Sequence, residues 1–520
     1  MAQKKLYIDI TSFYNTNFLS GIQRVVIEVV VRLLKMSEFD VVLFTWKHEE
    51  KNLLVLSNSD FLKCFDECNI TKSQIKIFKT LCLDSIERES ILFEIDSTWD
   101  GRCHKRIEVY PSLAARGVLI VSYIYDVLPI TNPEFWPTPI PLFYEYIAAN
   151  LRHAFSLITS VNETVKRLSN IAEKANVTLP PCTVSWLGSD FKKNAGGGKV
   201  SEKAKKIASK GKYLLCVGTL EPRKNHKVVL DVYDEKLASL GLNLVFAGRR
   251  AEGLDDLLSR IDKHQKKDNG FFFLEGENDE TIDYLYENAW AVVFPTFDEG
   301  FGLPLVEALL HGAVCVTSDI PVMREVGGES SDYFDPKSRE SLLKIIEGYI
   351  TNEESYEEAK KRAKRYRPIL WDEVVEKIKD TLLSTTDKNE EKYMKDVPVE
   401  RIINEIRADI AKKSYNANNI LFSDIKIDNP EVFNQELFTT ALAQVGANWS
   451  VDMYCSVSGG KIKRFIKRAI RKFVRPSFFG TMKKQECFNM NTAICLNEMT
   501  KNIRDLEARI KELGEKIGEK

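Results

Sequence analysis

The feature that most restricts this chain is a rhythm: short, almost wholly apolar runs, each followed by text with helical spacing, stated twice over. The first series is KLYIDI (5–10), DVVLF (40–44), ILFEI (91–95), GVLIVSYIYD (117–126), SLITSV (156–161) and TVSWLG (183–188). A strand that is apolar at consecutive positions must be covered on both faces, and strands separated by helices are joined by crossovers, so the series predicts a parallel sheet between helical layers. After KKNAGGGKVSEKAKK (192–206) the rhythm restarts with YLLCVG (213–218), LNLVFAG (242–248), FFFLEG (271–276), AVVFPT (291–296) and AVCVTSD (313–319). Two Rossmann-like α/β domains, 1–195 and 200–365, joined by a Gly/Lys linker are the expectation. The GGGK of the linker lacks the frame of a phosphate-binding P-loop and a strand to aim it, so it reads as a hinge.

Length agrees, since 520 residues exceed what one hydrophobic core supports. The charged fraction of 29% is that of a soluble globular protein, and no run approaches the ~18–20 apolar residues of a membrane span. The N-terminus, MAQKKLYIDITSFY, enters a strand pattern without an apolar signal region, so a cytoplasmic protein is expected. The ten cysteines and six histidines lack ligand spacing and no D-x-D tripeptide occurs, so neither metal nor other cofactor is expected.

Charge is nearly balanced, 74 basic against 75 acidic residues, yet KIKRFIKRAIRKFVR (461–475) carries eight cations and no acid. On a helix, Ile462, Phe465, Ile466, Ala469, Ile470, Phe473 and Val474 form one apolar stripe opposite a face of Lys and Arg. That is the pattern of an interfacial helix on an anionic leaflet, which predicts a peripheral place on the inner face of the cell membrane. No aromatic platform accompanies it, so nucleic acid is not the expected partner. Beyond it, Leu496, Met499, Ile503, Leu506, Ile510, Leu513 and Ile517 recur at alternating spacings of three and four, a coiled-coil seam over 496–517 that predicts a homo- or hetero-oligomer. Residues 388–460 read as a mostly helical extension linking these segments to the body.

Ligands of open parallel sheets bind beyond the C-terminal strand ends, which directs attention to the following loops. TLEPRKNH (219–226) sets Arg223 and Lys224 at a strand-to-helix turn, where two cations suit a diphosphate; an ordinary solvated pair is the plain alternative. DEGFGLPLVEAL (298–309) has Gly300 and Gly302 in a turn, Pro304 at a helix start, and two glutamates with seven residues between them, Glu299 and Glu307. Glu307 is expected in the first helical turn, where the macrodipole alone would favour a carboxylate. Glu299 has no such explanation. A carboxylate accepts two hydrogen bonds from a vicinal diol, so a diol on either side of a diphosphate, as in a nucleotide sugar, suits the layout.

The spacing E-G-F-G-L-P-L-V-E resembles the E-x7-E motif of the retaining glycosyltransferases of family 4, and the resemblance extends over most of 5–386. VGTLEPRKN is similar to their phosphate-binding turn, FAG and FLEGENDETIDYLYENA to segments around the base, and TSDIPVMREVGG to the following loop. LYIDITSFY, SGIQRVV and YDVLPITNPEFW are similar to sequences of bacterial polysaccharide-assembly members. The resemblance implies two Rossmann-like domains facing a cleft, the GT-B type, with a helix at 366–386 crossing back to the first domain. Carried over residue by residue, Arg223 and Lys224 hold the diphosphate, Glu299 orients the transferred sugar and Glu307 binds the ribose. It implies further that the backbone of Gly300, Phe301, Gly302 and Leu303, with Gly218 and Thr219, contacts the donor. Gly21 closes from the first domain, and Tyr125 and Asp126 lie on the acceptor side, where many relatives have His-Asp.

The function implied is retaining, metal-independent transfer of a hexose, such as mannose from GDP-mannose, to a lipid-linked polysaccharide intermediate. Two alternatives stand beside it: a nucleotide-sugar epimerase of the same fold, and a weakly active membrane-tethered scaffold.

Overall fold

The computed structural model describes residues 3–393 apart from 17–20, 47–51, 69, 100–102, 137–139, 191–197, 252–253 and 268, with side-chain environments as far as 385. The basic stretch 461–475, the seam 496–517 and nearly all of the 388–460 extension lie outside the described residues.

The first sheet has eight strands: β1 (Lys4–Asp9), β2 (Phe39–Trp46), β3 (Asn52–Leu56), β4 (Ile77–Cys82), β5 (Ile91–Glu94), β6 (Leu119–Ile124), β7 (Ser156–Thr159) and β8 (Cys182–Val184). The second has six: β9 (Tyr213–Val217), β10 (Asn243–Ala247), β11 (Phe271–Leu274), β12 (Ala291–Phe294), β13 (Cys315–Ser318) and β14 (Ser331–Phe334). Their orders are β4-β3-β2-β1-β5-β6-β7-β8 and β11-β10-β9-β12-β13-β14. Seven helices bear on the site: α1 (Gly21–Leu33), α2 (Arg106–Ala115), α3 (Asn162–Lys174), α4 (His226–Glu235), α5 (Leu303–Leu310), α6 (Pro321–Gly327) and α7 (Trp371–Tyr393).

Every all-apolar run became a strand, because burial on both faces leaves no other use for it. The first sheet nonetheless departs from the parallel sheet that the sequence predicts: β3 runs antiparallel to both β2 and β4. β4 is an edge strand with most residues in solvent, Ile77 and Phe78 among them, so nothing required the apolar pattern by which buried strands are read. The supposed linker 192–206 is also partly structured. Ser201 accepts a hydrogen bond from the Ala204 amide and caps a helix, Glu202–Ser209, that buries Ala204 and Ile207.

One continuous buried cluster takes in β1, α1 and α7 of the first layer and the facing side of the second sheet, whose other side has a core of its own. α7 begins at Trp371 rather than 366, since Pro368 keeps the preceding residues extended. Trp371 is fully buried against Gly188, where a Cβ would stand 2.5 Å from the indole. Val374, Val375, Ile378 and Leu382 are buried in the same cluster as α1, and Asp372 pairs with Arg32 at 2.6 Å. None of the described helices is long and apolar enough to cross a membrane.

Candidate active site

In each sheet the strand order reverses at one place, between β1 and β5 in the first and between β9 and β12 in the second. Loops diverge at such a point and leave a crevice at the C-terminal strand ends. In the second sheet the crevice is open, a cleft of about 680 Å³ lined from both sheets. Arg223, Lys224, Gly218, Thr219, Glu299, Gly300, Phe301, Gly302, Leu303 and Glu307 reach it from one side, and Gly21, Tyr125 and Asp126 from the other. The structure thus brings every residue that the resemblance assigns to the donor and acceptor sides to one cavity.

After β9 the chain forms a 3-10 turn, Pro222–Lys224, and Asn225 adopts a left-handed conformation (φ 51°) that redirects it into α4. Arg223 and Lys224 therefore project together. Arg223 Nη1 lies 2.8 Å from Glu299 Oε1, which also accepts from the Lys224 ammonium. Arg223 Nη2 meets Glu221 at 2.7 Å. Burial alone would push the Glu299 carboxyl up, but Arg223 and then Lys224 overturn that and hold it at about 2. Glu299 is ionised throughout the physiological range and cannot serve as a proton donor there. Two cations, Arg223 and Lys224, here face two carboxylates, Glu299 and Glu221.

Gly302 caps α5 with φ +95°, a region costly for a residue with a Cβ. Gly300 is required for another reason: a Cβ there would stand 2.9 Å from Asp126 Oδ2 and 3.1 Å from the Tyr125 carbonyl, so the two domains touch at this glycine. Glu307 is the fifth residue of α5, not in its first turn as expected, so the macrodipole does not explain it. Its carboxylate accepts from the Tyr286 hydroxyl at 3.3 Å and lies 3.9 Å from Arg24 Nη1. Burial pushes it up to about 7, with Asp279 and Asp283 adding to the rise while Arg24 and the Tyr286 hydroxyl oppose it.

On the first-domain side, Gly21 opens α1, and a Cβ on it would lie 3.3 Å from Leu303 of α5. Tyr125 lines the cleft, but its hydroxyl donates to the Ile95 carbonyl at 2.7 Å and is not offered to a ligand. The Asp126 carboxyl accepts from the Leu128 amide at 3.0 Å and is pushed up, mainly by burial, despite that bond and nearby Arg223.

Sequence reasoning missed Arg24. It lies three residues after Gly21 on the same face of α1 and bridges the cleft to Asp279 at 2.5 Å. Its position within SGIQR was the available signal. Among the described residues no group of three or more His, Cys, Asp or Glu could hold a metal ion.

Residues 199–366 match the family model described as Glycosyl transferases group 1. The serotype-specific mannosyltransferase WbdA of Escherichia coli is 28% identical over 250 residues, 46% of this chain and 30% of that protein. The O-antigen chain mannosyltransferase B of Escherichia coli is 27% identical over 229 residues, 43% of this chain and 58% of that one. The matched region thus spans less than two thirds of these relatives' length. Among solved structures, Anabaena Alr3699/HepE in complex with UDP superposes with a TM-score of 0.51 at 15% identity, over 74% of this chain and 100% of that chain. Sucrose-phosphate synthase from Thermosynechococcus elongatus gives 0.50 at 11% identity, over 74% and 99%. At such identities the likeness concerns the fold, which is GT-B, and the match to the Glycosyl transferases group 1 model falls on residues 199–366, the second of its two domains.

Proposed function

We propose that the cleft binds a nucleotide sugar and that the protein is a retaining, metal-independent hexosyltransferase. The donor is a hexosyl nucleotide such as GDP-mannose, and the acceptor a lipid-linked polysaccharide, O-antigen or capsule intermediate. The observation that carries the reading is the open ion triad at the second switch point. Arg223 and Lys224 stand together on the wall of the cleft, where the oxygens of a diphosphate can take up their N–H donors. The mannosyltransferase relatives support transfer over the epimerase and scaffold alternatives.

In this reading Glu299 and Glu307 are acceptors for the hydroxyls of the sugar and the ribose. Arg223 and Lys224 stabilise charge developing on the leaving diphosphate, a term worth about 3 kcal/mol per donor in a dry site. The bond from the anomeric carbon to the diphosphate breaks, the acceptor oxygen bonds to that carbon on the same face, and its proton passes to the departing diphosphate. No protein carboxylate need move a proton. The reading extends to a cytoplasmic, peripheral location through 461–475 and to self-association or partner binding through 496–517, on sequence pattern alone.

A thermal-shift panel of GDP-, UDP- and dTDP-sugars tests the core of the proposal: one set should stabilise the wild type, and binding of none would sink it. Glu299→Ala and Lys224→Ala should each cut turnover by at least about 10²-fold while the protein stays folded by circular dichroism; wild-type rates in either reject the assignment. Truncation before Lys461 should release the protein from anionic vesicles, and unchanged flotation would count against tethering.

A further inference from the structure

The turn that carries Glu299 is held from the opposite domain. Arg167, on the second turn of α3, is oriented by Glu163 one turn back, whose Oε1 accepts from Nε at 3.0 Å. Its Nη2 then donates to Asp298 Oδ1 at 2.9 Å, with both side chains nearly enclosed at 14% and 9% exposure. That same Asp298 oxygen accepts the backbone N–H of Glu299 at 2.8 Å. A first-domain guanidinium is therefore connected through a single oxygen atom to the amide of the residue that faces the cleft. Neither Arg167 nor Asp298 lines the cleft.

The neighbouring residues are gripped from the same side. The Ser160 hydroxyl contacts the Gly300 carbonyl at 3.1 Å, and the Phe135 ring stacks on Phe297 with centroids 5.8 Å apart and planes 9° from parallel. From within the second domain, the Asp298 carbonyl accepts from Arg223 Nη1 and from the Thr296 hydroxyl, each at 2.7 Å. Arg223 and Lys224 can thus meet an anion whether or not the domains are closed, since their own domain positions them. The Asp298 carboxylate that receives the Glu299 amide, by contrast, takes its charged partner from α3.

We propose that Arg167 is a positioning residue for the transfer reaction: acting through Asp298, it sets the Glu299 turn in working geometry when the two domains close. This rests on the glycosyltransfer reading. Removing the guanidinium leaves the Asp298 carboxylate without its cross-domain partner, one peptide from Glu299, and free to swing the turn. Displacements of about 1 Å at a reacting centre cost up to about 100-fold in rate. The donor's diphosphate would still meet Arg223 and Lys224.

The test uses the full chain with Arg167→Gln, Asp298→Asn, the double variant and Arg167→Lys. It reads transfer or donor hydrolysis at saturating nucleotide sugar, and binding of free GDP and UDP by calorimetry. The expected result is a loss in kcat of about 10- to 100-fold for each single variant, with donor KM and nucleoside-diphosphate affinity within about threefold of wild type. The double variant should be no slower than the worse single one, and Arg167→Lys should recover part of the rate. Unchanged kcat in Arg167→Gln, a parallel loss of nucleotide affinity, or strict multiplication of the two losses overturns the proposal. Should Arg167→Gln not fold, Asp298→Asn carries the same expectation and the same refutation. A wild type that neither binds a nucleoside diphosphate nor turns over any nucleotide sugar refutes the glycosyltransfer reading and this proposal with it; an active wild type matched by its variants refutes this proposal alone.

Discussion

At the switch point of the first sheet, Arg106 lies between Asp9 at the end of β1 and Glu94 at the end of β5; at that of the second, Glu299 lies between Arg223 and Lys224. Both are carboxylate–cation networks at C-terminal strand ends. They differ in charge count and in closure. The first has two carboxylates on one guanidinium and is sealed, with no member more than 1% exposed and the Trp46 indole N–H donating to Asp9 at 2.7 Å. The second has two cations on Glu299, with Glu221 also on Arg223, and opens on the cleft, Glu299 and its two cations being 9–14% exposed. Burial pushes Glu94 up to about 7, with Asp9 adding to it and Arg106 opposing, whereas Glu299 is held at about 2. Charged groups sealed from solvent serve the fold; a pair of cations facing a cavity is available to an anion.

The largest effect that tests this contrast is on stability. Arg106→Met should leave Asp9 and Glu94 buried without a counter-charge and destabilise the protein by about 3–5 kcal/mol, read from the denaturant midpoint. Loss of an exposed surface pair would cost under about 1 kcal/mol, and a value that small would remove the distinction drawn here. Lys224→Ala should do the reverse, leaving the midpoint within about 1 kcal/mol while turnover falls by about 10²–10³. If Lys224→Ala unfolds the protein instead, its network is structural like the first.

Acid titration separates the two networks by sign. Glu299 falls from 4.5 to about 2 on folding, so the unfolded chain binds more protons between those values and stability rises with pH there. Its contribution, on the order of 3 kcal/mol, is fully present above about 4.5 and lost as pH falls toward 2. Glu94 rises from 4.5 to about 7, so the native state binds more protons in that window and stability falls as pH rises through it. Subtracting the profile of Glu299→Gln or Glu94→Gln from wild type should reveal slopes of opposite sign; slopes of the same sign would break the comparison.

The second network was legible in the sequence and the first was not, for a physical reason. Arg223 and Lys224 are adjacent, and Glu299 stands in a glycine turn beside a proline-started helix, so local spacing announces each half. Asp9 and Glu94 are each one charge in an apolar run, brought side by side only by the pairing of β1 with β5, and Arg106 reaches them from the start of α2. Arg24, Arg167 and Asp298 were missed for the same reason, since their partners lie across the cleft or in the other domain. Eleven of the fourteen described strands were readable as apolar runs; β4, where nearly every residue is exposed, was missed, as were the short strands β3 and β14.

The smallest effect expected concerns the other end of the cleft, where Glu307 is 25% exposed, more open than either network, yet is pushed up as Glu94 is. Pushed up to about 7, it is mostly protonated at pH 6 and mostly ionised at pH 8. A protonated carboxyl offers a ribose diol poorer acceptors than a carboxylate, so donor affinity should rise by up to about tenfold over that interval and level off above it. Glu307→Gln should flatten the profile, because an amide does not titrate. A 2′-deoxyribonucleotide should flatten it as well, having lost one of the two hydroxyls. Arg24 opposes the upward push on Glu307 from across the cleft, so Arg24→Gln should move the midpoint to higher pH. A wild-type profile that is level from pH 6 to 8, or one that survives in Glu307→Gln, would mean that Glu307 does not meet the ribose and that the two ends of the cleft differ less than their charges suggest.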